Sequence, residues 1–145
     1  MDYMQHRNAA EKMLTDHNAL MSGICCNRRW IYELCELGMP RFGELATRLR
    51  ELRSALHSHF HDEEAFSAAL RDSNARVVLN HDLEKTHQEL LQRLDVMISR
   101  LQSPHEQFSG WHAAIAEVET LVTDICNHEN MEMDGLKKSL LPEPG

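Results

Sequence analysis

The chain has 145 residues, a length that suits one domain with a single hydrophobic core. Its 15 lysines and arginines are outnumbered by 23 aspartates and glutamates, and it has no run of basic residues that could bind along a phosphate backbone. We therefore expect no nucleic-acid partner. The N-terminus lacks the pattern of a signal peptide, and no apolar run approaches membrane-spanning length. We therefore expect one cytoplasmic domain, residues 1–145, that does not bind membranes.

Glycine, proline and short polar runs divide the chain into four long segments. The breaks lie at residues 38–40, 72–74 and 103–110, and a short proline-rich tail, residues 142–145, ends the chain. Each segment has helical periodicity, and short connections favour antiparallel neighbours. The sequence predicts an all-α fold, an up-down-up-down antiparallel four-helix bundle.

Polar residues interrupt the apolar face of the first two predicted helices. In the first segment, His17 lies on the face formed by Met13, Leu20, Ile24 and Ile31. The second segment alternates steps of four and three along one stripe: Leu45, Leu49, Leu52, Leu56, His59, Glu63 and Phe66. His59 and Glu63 stand four residues apart, so one helical turn places both on one face.

The third and fourth segments repeat this arrangement. In the third, Glu84 and His87 precede Leu91, Leu94 and Ile98 on the apolar face. The fourth carries a second pair four residues apart within its stripe: Trp111, Ile115, Val118, Val122, Ile125, His128, Glu132 and Leu136.

Folding the chain at the predicted turns brings these polar residues to one level. In antiparallel helices, residues equally far along the chain from a turn lie side by side. The first turn therefore places His17 beside His59 and Glu63, and the second places these two beside Glu84 and His87. The same pairing about the third turn, starting from His128 and Glu132, points instead to His81. The third helix therefore contributes His87, Glu84 or His81.

A cation would explain so many polar residues on apolar faces. A buried, unpaired carboxylate costs several kcal/mol. The sequence has no Cys-x-x-Cys or finger spacing, which argues against structural zinc, whereas bridging carboxylates with imidazoles suit a pair of iron or manganese ions. The residues therefore predict two metal ions, iron or manganese, with zinc also possible.

Four sequence runs resemble the hemerythrin-like family, also called the HHE cation-binding family. They are LTDHNAL around His17, HFHDEE from His59, THQELL around His87 and HENME from His128, and they cover nearly the whole chain. The resemblance implies metal ligation by His17, His59, Glu63, His87, His128 and Glu132. Oxygen-carrying members have a histidine where this chain has Leu83 and an aspartate where it has Met133. Glu84 and His81 stay open as substitutes for the missing histidine of the third helix.

The expected function is non-haem di-iron binding, in a protein that binds or senses a small ligand such as dioxygen or nitric oxide, or handles iron. A di-iron redox enzyme acting on nitric oxide, peroxide or dioxygen is the alternative. A metal-free helical interaction module is a third interpretation. The four cysteines, Cys25, Cys26, Cys35 and Cys126, are expected to be small buried thiols of a reducing compartment.

Overall fold

Five helices make up the regular structure of the described residues. The computed structural model describes the backbone of residues 3–72 and 83–140, and the side chains of residues 7–69, 83–135 and 137. The helices are α1 (Tyr3–Leu37), α2 (Phe42–Asp72), α3 (Leu83–Leu101), α4 (Pro104–Gln107) and α5 (Trp111–Leu140). No strand occurs within these backbone ranges, so the prediction of an all-α fold is confirmed.

The turn between α1 and α2 depends on Gly38. This glycine has a φ of 67°, a left-handed conformation that costs glycine little. Its N–H donates to the carbonyl of Cys35 and the N–H of Met39 to that of Leu34, which together form a Schellman motif at the end of α1. His17 and His59 stand 21 residues on either side of Gly38, so the turn places them at the same level.

The predicted third break contains a short helix. α3 ends at Leu101, and α4 begins at Pro104, where proline is favoured because the first N–H groups of a helix lack intrahelical partners. The N–H of Phe108 donates to the carbonyl of Pro104 and closes the single turn. The break at residues 103–110 was therefore placed correctly, but α4 was not predicted.

The four long helices pack around a shared core. α1 contacts α2 and α5, and α3 contacts α2 and α5. Their buried side chains form the large apolar cluster, which includes Ile24, Leu45, Leu56, Leu94 and Val118. Ala10, Met13, Phe66 and Met133 form a second, small apolar cluster.

Ion pairs join neighbouring helices at the protein surface. They link α2 to α3, α3 to α5 and α1 to α5 through Arg53–Asp95, Arg93–Asp124, Arg100–Glu117 and Arg28–Glu119. Each exposed pair contributes at most about 1 kcal/mol, so apolar burial is the main source of stability. Among the described residues, no helix is long and apolar enough to cross a membrane.

Candidate metal centre

Seven histidine and glutamate side chains are buried between the two apolar clusters. We call them the polar layer: His17, His59, Glu63, His87, His128, Glu129 and Glu132. α1, α2, α3 and α5 all contribute to it, and none of the seven is more than 9% exposed. Histidine and glutamate are rarely buried together unless they are paired or bind a metal.

Three residues from three helices form the first group. His17, His59 and Glu129 each offer a ligand atom, and these atoms lie within 4.8 Å of one another. One oxygen of Glu129, Oε2, is 3.2 Å from Nδ1 of His17 and 2.7 Å from Nε2 of His59. The carboxylate therefore sits between two imidazoles, a set that suits a divalent transition metal.

The second group brings together Glu63, His87 and His128. Its ligand atoms also lie within 4.8 Å of one another, and all three side chains are buried. Nε2 of His87 is 3.2 Å from Oε2 of Glu63. Like the first group, it combines one carboxylate with two imidazoles.

The two groups are in direct contact. Nε2 of His59 lies 2.5 Å from Oε1 of Glu63, so one atom of the first group touches a carboxylate of the second. α5 supplies adjacent residues to the two groups, His128 to the second and Glu129 to the first. Two cations held in this layer would be neighbours.

Phe60 orders the imidazoles of the second group. Its ring stacks on that of His87, with 3.8 Å between centroids and 3° between planes. It also meets the His128 ring edge-on at 5.8 Å. On the other side of His87, Oε2 of Glu64 is 3.6 Å from Nδ1, close enough to favour its orientation without a direct hydrogen bond.

The charges of the first group support one another in the metal-free protein. Burial alone would lower the pKa of His59, but the Glu129 and Glu63 carboxylates outweigh burial and raise the pKa to about 10. Burial likewise opposes ionisation of Glu129, yet hydrogen bonds from His17 and His59 lower its pKa to about 2. A proton on His59 therefore takes the place of a cation.

Two residues of the polar layer lack this support. Burial, with the nearby charge of Glu63, raises the pKa of Glu132 to about 7. Burial, with the proximity of His87, lowers the pKa of His128. Both side chains therefore tend towards the neutral form when no metal is bound.

Buried polar atoms without hydrogen-bond partners show how well the residues fit a cation. Both oxygens of Glu63 lack a partner of suitable geometry, despite their proximity to histidines. The same holds for Nε2 of His87, Nε2 of His128, Oε1 of Glu129 and Oε2 of Glu132. Each such atom costs about 1–3 kcal/mol when left unsatisfied. All of these atoms, imidazole nitrogens and carboxylate oxygens, are of kinds that bind metals, so the donor set of the polar layer is compatible with a metal.

Five of the six predicted ligands belong to the two groups. They are His17, His59, Glu63, His87 and His128. The sixth, Glu132, is buried in the polar layer but belongs to neither group. Of the substitutes on the third helix, Glu84 has an exposed side chain, and His81 lies outside the described residues.

Sequence reasoning missed Glu129. It is fully buried and belongs to the first group, whereas the sequence predicted only His128 and Glu132 as ligands on the fourth helix. Glu129 stands four residues after Ile125, a spacing that also lies on the apolar face. The buried face of α5 is wide enough to include both His128 and Glu129, whereas a pattern that takes one residue per helical turn includes only one of them.

The expectation for the cysteines is wrong for two of the four. Cys25 and Cys26 are exposed and Cys35 is partly buried, while Cys126 is buried. The first two fall on the outer side of α1, because Ile24 takes the buried position beside them.

No family model, no curated protein and no solved structure matches this chain. Its buried histidine and glutamate groups are nevertheless compatible with metal binding.

Proposed function

We propose that this protein is a non-haem di-iron protein of the hemerythrin-like type that binds or senses a small ligand such as dioxygen or nitric oxide, or handles iron. The observation that carries the proposal is the contact between two similar groups, each with two imidazoles and one carboxylate. A structural zinc site would be closed by four ligands and rich in thiolate. Here no cysteine belongs to either group.

An up-down-up-down bundle is part of this proposal. α1 and α3 each contact both α2 and α5, as expected for four helices arranged in a ring in chain order. The equal spacing of His17 and His59 about Gly38 supports an antiparallel α1 and α2. Metal sites inside such bundles use inward-facing side chains from several helices.

The charge balance supports two divalent ions. Glu63, Glu129 and Glu132 bring up to three negative charges into a layer that has no lysine or arginine. Glu63 and Glu129 each have at least one oxygen without a hydrogen bond and can therefore contact a second ion. When bound, iron would supply a redox-active Lewis acid that takes small ligands.

The surrounding residues would keep this chemistry away from bulk water. Phe60 and Ile125 lie beside the polar layer in the large apolar cluster, and the small apolar cluster lies beyond it along α1, α2 and α5. Apolar surroundings limit solvent access and raise the strength of electrostatic interactions.

Metal analysis of the protein expressed with iron tests the proposal. We expect about two iron ions per chain, because each group offers a complete three-residue set. Less than about one iron per chain, without near-ultraviolet or visible absorption in air, would contradict it and favour the metal-free interaction module. Glu129→Gln and Glu132→Gln are a matched pair on α5: only the former removes a member of the first group, so it should lose more iron.

Glu132 favours a second candidate, a di-iron redox enzyme acting on nitric oxide, peroxide or dioxygen. It is 3% exposed, and its Oε2 has no partner. Such a carboxyl group can hold a proton next to the two groups and donate it during a reaction. Repeated turnover of one of these oxidants, slowed by Glu132→Gln with iron content unchanged, would support the enzyme; a single stoichiometric binding event would support the carrier or sensor.

A further inference from the structure

A groove between α1 and α2 leads to the first group. Its volume is about 690 Å³, and it is open to solvent along the two helices. The walls include Lys12, Asp16, Gly23, Glu51 and Asp62, and one part of the wall is His59. No member of the second group lines it.

His59 connects the groove to the interior. This side chain is only 4% exposed, yet it forms part of the groove wall. Its Nε2 faces Glu129 and Glu63, whereas its other ring nitrogen, Nδ1, is buried without a hydrogen-bond partner. A species that travels along the groove thus meets a residue of the first group directly.

The groove has a negative wall. It contains three carboxylates, Asp16, Glu51 and Asp62, but one ammonium group, Lys12. None of the three carboxylates forms an ion pair with another described residue. A cleft in which one sign of charge predominates concentrates ions of the opposite sign and raises their association rate. This groove therefore attracts cations and repels anions.

Small residues keep the groove open. Ala19, Gly23 and Ala55 line it where larger side chains would fill the space. A Cβ atom built on Gly23 has no other atom within 4 Å, so a side chain there would extend into open space. Glycine inside a helix costs about 1 kcal/mol relative to alanine, which means that the local helix gains nothing from it.

We propose that this groove is the route by which a hydrated divalent transition-metal ion enters the polar layer, and that the carboxylates of Asp16, Glu51 and Asp62 guide it to the first group. The inference rests on the proposed metal-binding function and adds the path of entry. It also sets an order: the ion reaches His59 before it reaches His87 or His128, which lie on the far side of Glu63.

The rate of metal uptake by the metal-free protein tests the route. Co²⁺ is the probe, because its visible absorption reports binding to nitrogen and oxygen ligands. We expect Gly23→Leu to slow uptake several-fold while the equilibrium affinity stays the same, since the leucine fills the groove without touching a ligand. Gly43→Leu is the matched control: Gly43 is also an exposed helical glycine with no atom within 4 Å of its Cβ, but it lies outside the groove.

Removal of the negative wall provides a second, independent variant. The triple change Asp16→Asn, Glu51→Gln and Asp62→Asn should slow Co²⁺ uptake about tenfold at low salt and weaken its salt dependence. Its control neutralises three exposed carboxylates elsewhere, Glu33→Gln, Glu36→Gln and Glu106→Gln, and leaves the net charge equally changed.

The outcomes separate the route from the function. Tight Co²⁺ binding with uptake as fast in Gly23→Leu and in the triple variant as in their controls would overturn the route and leave the metal centre intact. Slower uptake with equally weaker equilibrium binding would also overturn it, because the variants would then act on the site. Failure of the unaltered protein to bind Co²⁺ or iron at all would instead contradict the proposed function.

Discussion

The large apolar cluster and the polar layer are built from the same four helices but differ in how they affect stability. In the cluster, side chains such as Leu56, Leu94 and Ile125 are fully buried and gain free energy simply by leaving water. In the polar layer, buried groups such as Glu63 and His87 lose hydrogen bonds to water and do not replace all of them. The contrast indicates that the large apolar cluster stabilises the fold, whereas burial of the polar layer would become favourable if it bound a cation, as we propose.

Metal binding should give the largest effect. At a free metal concentration about 1,000 times the dissociation constant, binding stabilises the folded state by about 4 kcal/mol, which raises Tm by about 10 °C for a chain of this size. Calorimetry with and without a chelator measures the shift. An equal Tm in both conditions would mean that the polar layer does not bind the metal, and that metal does not distinguish it from the large apolar cluster.

Leu94→Ala should change the free energy of unfolding by nearly as much as metal binding does, but in the opposite direction and for a different reason. Leu94 is fully buried in the large apolar cluster, and truncation leaves a cavity that costs about 3 kcal/mol. The loss should be the same with and without metal. Val96→Ala is the control on the same helix, because Val96 is 53% exposed and its truncation should change stability by about 0.5 kcal/mol or less. A loss of stability that differs with and without metal would show that the large apolar cluster and the polar layer are coupled.

The pH dependence of the metal-free protein should have a defined sign. Burial opposes protonation of His59, but its carboxylate partners raise its pKa to about 10, so the stability that this proton contributes declines as the pH rises from 6.5 towards 10. Burial raises the pKa of Glu132 to about 7, so ionisation of Glu132 lowers stability over pH 4.5–7. Between pH 6.5 and 9 the free energy of unfolding should fall by about 3 kcal/mol.

Bound metal should reverse this trend, because its ligands must lose their protons. Denaturant titrations at several pH values, with chelator and with metal, measure both slopes. Stability of the metal-free protein that is constant or rises over pH 6.5–9 would contradict the proposed charge state of His59.

Phe60→Leu should lower stability by only about 1 kcal/mol, less than Leu94→Ala, since leucine keeps most of the apolar volume. The loss of stacking on His87 should nevertheless alter the Co²⁺ spectrum, because the ring fixes the orientation of that imidazole. Phe66→Leu is the control: Phe66 lies on the same helix, in the small apolar cluster. Identical spectra for the two variants would mean that Phe60 serves only in packing.

The helices and most of the buried histidines follow from local patterns in the sequence. Steps of three and four residues identify the buried face of α2, including His59 and Glu63, because helix geometry alone determines which residues share a face. Gly38 and Pro40 mark the end of α1, because a left-handed residue followed by proline stops a helix. These features need no knowledge of tertiary contacts.

The choice between Glu129 and Glu132 could not be made in this way. Both lie on the buried face of α5, and which of them meets His17 depends on the rotation of α5 relative to α1. That rotation is set by packing across the whole core, which no periodicity within one helix reports. The short helix α4 was missed for a similar reason, since four residues are too few to show a period.

The adjacency of His128 and Glu129 has a consequence for the order of assembly. Each completes a different group, so neither three-residue set exists until α5 docks against the other helices. Docking of α5 would therefore create both ion sites in a single step, and an ion held at one would favour the α5 position that the other requires. If the polar layer holds two ions, as we propose, their loading should accordingly be cooperative, and a growing chain should acquire neither site until α5 has been synthesised.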